Sequence, residues 1–237
     1  GHGSKNEVYR TLPAVEAGTA EVRTFVIRML YGPAKRTRTM QHIEQEIETH
    51  HELQSAGVSV IPRFELCQGE QGATEENLHY KPFIDSDGAC CKPMWICATD
   101  LTENGKNYVL SQSNKTIDDE EWTRRWANGE FSHAVPNIES ALHQLAVDTL
   151  KIAVLDKEIQ LEDAFLFIID KVTRHTTVIV GDYKHVRPSY GRSASEVGKN
   201  NLIVARQACL SMKHLLGVSD EHIHAFFESK ISRVLSL

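Results

Sequence analysis

VIVGDYKHV, residues 178–186, decides how the chain is read: an apolar run that delivers an aspartate, Asp182, into a polar turn. A strand end of this kind is a common way to present a metal-binding carboxylate. A second acidic residue, Asp163, stands directly before another apolar run, AFLFII at 164–169, and Thr173, Arg174 and His175 between the two runs suit a hairpin turn. Pairing the runs puts Asp163 and Asp182 at one sheet end. The bland alternative is that both are ordinary turn-capping aspartates.

Nearer the N-terminus, Val22–Leu30 has the β-branched and aromatic content of a strand, stopped by Gly32 and Pro33. Over Thr39–Ala56, Met40, Ile43, Ile47 and Leu53 recur at helical spacing, Glu44, Glu48 and Glu52 line the opposite side, and Gly57 is placed to end the helix. Val58–Cys67 and Met94–Leu101 read as strands around a polar, glycine-containing loop. Asp118–Gly129, with Trp122 and Trp126 at i and i+4, reads as a short helix. Ile138–Leu155 is the longest clean helical pattern, and Asn200–Gly217 and Asp220–Leu235 read as closing helices. The order predicts an α+β protein of two lobes, 1–101 with a small sheet and one helix, and 102–237, compact and mainly helical around the hairpin.

Composition narrows the function classes. The 237 residues carry a formal net charge of −6, which argues against nucleic acid as the main partner, since backbone phosphates call for a basic stripe. The one dense basic run, KRTR at 35–38, reads as a solvated helix entrance. Apolar runs are far shorter than the roughly 20 residues a membrane helix needs, so no membrane span and no secretory signal are expected. The five cysteines lack a pairing pattern, which fits reduced thiols and a cytoplasmic setting; adjacent Cys90 and Cys91 read as filler. The twelve histidines are scattered, and His50, His51, His222 and His224 read as helix-surface residues.

In this order of elements the chain resembles the protein kinase superfamily over nearly its whole length. GHGSKNEVYR at 1–10 resembles a kinase glycine-rich loop, with Gly1, Gly3, Ser4, Val8 and Tyr9 in register and Asn6 in place of the third glycine. The rival reading of those first residues is a cloning remnant. Arg28 stands where kinases carry a phosphate-binding lysine, and Glu46 in QEIETHHEL (45–53) is its implied partner; arginine keeps the charge but is a wider, planar clamp. A purely structural Arg28–Glu46 pair is the alternative. Asp100, with Thr102, falls at the hinge turn that faces the nucleotide.

The resemblance also implies a catalytic loop and a metal corner. HRDxxxxN is missing; DKEIQLED at 156–163 puts Asp163 at the Asn position and Glu158 at the catalytic Asp position. A shorter loop would make Asp163 itself catalytic, with Glu162 and Asp156 as substitutes. Asp182 matches the metal-binding Asp of the DFG motif, with Lys184 replacing the glycine. The activity implied by the resemblance is that of an ATP-dependent phosphotransferase. Mg (or Mn) would be held by Asp163 and Asp182, and Gly1, Gly3, Ser4, Val8, Arg28, Glu46 and Asp100 would hold the nucleotide. The acceptor, a protein or a small molecule, is unidentified. Two alternatives stand beside it: a pseudokinase acting as binding module or scaffold, and a metal-dependent hydrolase or nuclease using the same carboxylates with Lys184.

Overall fold

The structure, a computed structural model, describes residues 8–10, 14–15, 22–29, 40–68, 94–112, 124, 128–129 and 133–234. The expected glycine-rich loop residues Gly1, Gly3 and Ser4, the basic run at 35–38, Cys90, Cys91 and nearly all of 118–129 lie outside them. The chain is α+β, with antiparallel sheets and five α-helices among the described residues. It divides into two compact units, Gly1–Glu48 with Ile61–Asn104, and Thr49–Val60 with Gly105–Leu237. None of the helices described is long and apolar enough to cross a membrane.

In the first unit, β1 (Val8–Arg10), β4 (Phe25–Met29), β6 (Met94–Thr99) and β5 (Phe64–Gln68) form one antiparallel sheet in the order β1-β4-β6-β5, and β2 (Ala14–Val15) pairs with β3 (Val22–Arg23). Phe25, Phe64 and Ile96 are buried. The strand expected over Val58–Cys67 begins only at Phe64, because Pro62 has no N–H to give a ladder. Upstream of that proline, Val60 forms an isolated parallel bridge with Val180 in the second unit's core, and the Val180 N–H donates to the Ser59 carbonyl at 2.9 Å.

Helix α1, Met40–Ser55, links β4 to β5 and ends at Gly57, whose φ of +68° suits glycine. Glu44, Glu48 and Glu52 are exposed, as their spacing predicts. The buried stripe is more polar than expected: Ile43, Glu46, His50 and Leu53 are all buried, at i, i+3, i+7 and i+10. His50, read from sequence as a surface residue, is 2% exposed, since helical spacing places it one turn beyond Glu46 on that stripe; its neighbour His51 is exposed.

The second unit is organised on α2, Ile138–Val154, whose Leu142, Leu145, Ala146, Thr149, Ile152 and Ala153 are buried. The segment after α1 is tied to it by a buried carboxylate: Ser59 N–H donates to Asp148 Oδ2 at 3.0 Å, Gln144 donates to Oδ1 at 2.9 Å, and Lys151 donates to the Gly57 carbonyl. β7 (Asn107–Leu110), β9 (Phe165–Asp170) and β10 (Thr176–Val180) form a sheet in the order β10-β9-β7, and β8 (Lys157–Ile159) pairs with β11 (Val186–Pro188). Along β9 the alternation buries Phe165, Phe167 and Ile169.

The β9–β10 connection is the expected hairpin, with Arg174 at φ +60° and its guanidinium reaching the His133 and Leu215 carbonyls at 2.9 and 3.1 Å. The helix expected over Asn200–Gly217 is two: α3, Ala194–Ser211, and α4, Lys213–Leu216. The earlier start comes from a capping box, in which Ser193 and Glu196 satisfy each other's backbone N–H groups. The sequence SASE at 193–196 carries that signal. α5, Asp220–Val234, packs on α3 and buries Ile223, Phe227 and Ile231.

Candidate functional site

β10 ends at Val180, and after Gly181 Asp182 opens a 3-10 turn, Tyr183–His185. Asp163 sits in a second 3-10 turn, Glu162–Ala164, which feeds β9. The two turns are stitched together at one oxygen: the backbone N–H groups of Gly181 and Asp182 both donate to the Ala164 carbonyl, at 2.9 and 3.3 Å. The apposition of Asp163 and Asp182 that the hairpin pattern calls for is therefore present. Close approach is possible because residue 181 is glycine; a Cβ there would stand 2.2 Å from Leu166 Cδ1.

Tyr183 anchors the turn. It is 2% exposed, and its ring meets His50 edge to face, centroids 5.2 Å apart at 68°. The corner thus rests on the second half of α1, through the residue that sequence reasoning misplaced on the surface.

Around Asp182 the charges are mixed. Lys184 Nζ donates to Asp182 Oδ2, and His185 Nε2 lies 3.7 Å from the same oxygen. The Lys184 and Asp182 side chains are 35% and 27% exposed, so the pair orients the carboxylate more than it stabilises the fold. Burial holds the His185 imidazole below its ordinary range, opposed by Asp182 and Asp163 and reinforced by Lys184 and Arg187. The unfolded chain accordingly binds a proton near pH 6.5 that the folded chain refuses. Stability attributable to His185 is thus present above that pH and lost as the pH falls below it. His185→Gln is expected to flatten the dependence of the denaturation midpoint between about pH 5 and 7; an unchanged slope in urea titrations would remove this role.

Among the described residues, others predicted for the site have partners of their own. Glu158 lies on β8 opposite Arg187, where Arg192 Nη1 and Asn200 Nδ2 (3.3 Å) both donate to its Oε1. Glu162 accepts a hydrogen bond from Ser211 Oγ at 3.0 Å. Asp156, at φ +54°, accepts the Ser189 N–H on its carbonyl. In the first unit, Asp100 is 3% exposed: Thr24 Oγ1 donates to its Oδ2 at 3.0 Å, and the Thr102 N–H and hydroxyl donate to Oδ1 at 3.0 and 2.6 Å. Such a carboxylate caps a turn. Val8 and Arg28 are cross-strand partners in β1 and β4, and the Arg28 side chain lies outside the described residues. Glu46 is buried on α1.

One structural residue gave no sequence signal. Asn201 is fully buried on α3 and connects three elements: its Oδ1 accepts the Ile159 N–H at 2.8 Å, and its Nδ2 donates to the Thr149 and Lys157 carbonyls at 3.2 and 3.1 Å. It fixes β8, and with it the start of the loop that runs to Asp163.

As a metal site the corner offers two carboxylates, of which Asp182 is already neutralised by Lys184. Among the described residues, no three His, Cys, Asp or Glu side chains gather as a metal-binding group. A magnesium ion asks for anionic oxygens, and with a resident ammonium on one of them the donor set does not fit it as arranged. The sequence matches no protein-family model and no curated protein.

Proposed function

We propose that this is a kinase-like protein working as a binding module, a pseudokinase in which the Lys184 ammonium takes the place beside Asp182 that a metal ion would otherwise hold. The contact between Lys184 Nζ and Asp182 Oδ2 carries this reading. The β1-β4-β6-β5 sheet with its linking helix, followed by a long helix, a hairpin and the β8–β11 pair, supports the kinase-like part of it. Glu158 supports the binding-module part, because its Oε1 is held by Arg192 and Asn200 rather than offered to an acceptor hydroxyl. A lysine that balances Asp182 also leaves the corner able to meet an anionic ligand such as a nucleotide phosphate.

The second reading, an ATP- and magnesium-dependent phosphotransferase with an unidentified acceptor, draws support from the apposition of Asp163 and Asp182 across the Ala164 carbonyl. The two readings part in a thermal-shift titration with ATP, with and without magnesium or manganese. For the binding module, ATP stabilises the wild-type chain equally with or without metal, by about 2.7 kcal/mol at a hundredfold excess over Kd. In Lys184→Ala the shift becomes metal-dependent, while unliganded stability changes by less than about 1 kcal/mol. A wild-type shift that requires metal and vanishes in Asp182→Asn selects the phosphotransferase. No shift under any condition removes the nucleotide and leaves a scaffold.

A further inference from the structure

One oxygen of the Asp182 carboxylate is engaged and the other is open. Lys184 Nζ donates to Oδ2, and His185 Nε2 lies 3.7 Å from that same atom; among the described residues no hydrogen bond or ion pair falls on Oδ1. The side chain is 27% exposed, so a small reagent can reach it. The backbone that carries it is held on both sides. The Gly181 and Asp182 N–H groups sit on the Ala164 carbonyl, the Asp182 carbonyl accepts the His185 N–H at 3.2 Å, and Tyr183 is buried next in the chain. A carboxylate that is fixed, reachable and open at one oxygen can act as a nucleophile. Toward a phosphate its one obstacle is charge repulsion, which the Lys184 ammonium on the neighbouring oxygen offsets.

We propose that Asp182 is a phosphoryl acceptor, taking the terminal phosphoryl group of an activated phosphate donor on Oδ1 to form an aspartyl phosphate. The proposal rests on the reading of the corner as a site for anionic ligands and names the chemistry done there. The donor carries a phosphoanhydride or acyl phosphate bond, as a nucleoside triphosphate or a small acyl phosphate does. A bond forms between Oδ1 and the terminal phosphorus, and the bond from that phosphorus to the bridging oxygen breaks. Its electron pair leaves with ADP or with the carboxylate of the acyl group. The attacking group is already a carboxylate, so no proton has to be removed from it. Lys184 is the positioning residue: it keeps Oδ2 turned away from the donor and supplies beside it the positive charge that a metal ion would otherwise bring. Water later attacks the phosphorus, releases inorganic phosphate and restores Asp182, so the modification is reversible.

The experiment incubates the full wild-type chain with acetyl phosphate and, separately, with ATP, each in EDTA, and weighs the product. The expected product gains about 80 Da, one phosphoryl group, and loses it in neutral hydroxylamine, which cleaves acyl phosphates and spares phosphate esters. Borohydride reduces an acyl phosphate to an alcohol and leaves free carboxylates intact, so fragmentation after reduction is expected to find the change at residue 182. Lys184→Ala is expected to lower the yield about tenfold and Lys184→Arg to restore part of it. No adduct with either donor, an adduct that survives hydroxylamine, or a phosphoryl group placed on His185 or any residue other than Asp182 would each overturn the proposal. So would labelling that needs magnesium and is indifferent to Lys184→Ala. Because the reduced residue is located in the wild-type chain, the result does not depend on any variant folding. The ATP thermal shift, measured alongside, separates the two levels: a shift with no adduct from either donor leaves the binding module and removes the phosphoryl acceptor, whereas an adduct from acetyl phosphate with no ATP shift keeps the acceptor and removes the nucleotide.

Discussion

Replacing Asn201 with Ala is expected to destabilise the second unit by about 3 kcal/mol, a large effect for a single substitution. The side chain is fully buried and makes three hydrogen bonds, to the Ile159 N–H and to the Thr149 and Lys157 carbonyls. Alanine leaves those groups without their side-chain partner where water cannot reach, and a small cavity between α2, β8 and α3. Asn201→Asp separates donor from acceptor: a carboxylate still accepts from Ile159, but it sets a buried, unpaired charge against the Thr149 and Lys157 carbonyl oxygens, so at neutral pH it is expected to cost at least as much as alanine. Urea denaturation followed by circular dichroism measures both. A loss below about 1 kcal/mol for the alanine variant would mean that the unit relaxes around the site and that β8 is positioned by its pairing with β11 alone. Because β8 leads into the turn that carries Asp163, the alanine variant is also expected to weaken any ATP-induced shift.

Tyr183→Ala is expected to cost about 3–5 kcal/mol, the range for truncating a large buried aromatic. Tyr183 is 2% exposed and contacts the His50 ring edge to face. Its loss removes both the buried area and the wedge that holds the Asp182 turn against the end of α1. Two readouts separate packing from positioning. Tyr183→Leu restores most of the apolar volume and should recover more than half of the stability, yet it has no aromatic ring to meet His50, so any nucleotide-dependent stabilisation should remain reduced. Full recovery of both properties in the leucine variant would show that the aromatic contact contributes nothing to the corner. Together with Asn201, this residue makes the stability of the second unit and the geometry of Asp182 two expressions of the same packing.

Local pattern was enough for the long helices and the β9–β10 hairpin. The helical spacing of Met40, Ile43, Ile47 and Leu53 with Gly57 after it, and the long run from Ile138, are signals within a few turns of chain, and α1 and α2 follow them closely. The hairpin between AFLFII and VIVGDYKHV was legible for the same reason, and pairing those strands brings Asp163 and Asp182 together whatever else the chain does. Errors fell where a residue's role depends on a partner far along the chain. His50 looked like one of many exposed histidines until the Tyr183 ring, 133 positions later in the sequence, was set against it. For Glu158, read as a candidate acid, the hydrogen bonds that Arg192 and Asn200 donate to its carboxylate were likewise not legible in the sequence.

The α+β class, the long helices α1 and α2, the β9–β10 hairpin and the adjacency of the two aspartates were written in the amino-acid order, because periodicity, turn residues and hairpin pairing act over short separations. What tertiary packing decided was the burial that lowers the proton affinity of His185, the Tyr183–His50 contact under the Asp182 turn, and the Asn201 bonds that set β8 in place. The difference is one of range. Backbone propensity is set residue by residue, whereas burial, desolvation and the pairing of a charge depend on which distant side chains pack alongside it, and the same residues in another packing would carry a different charge balance.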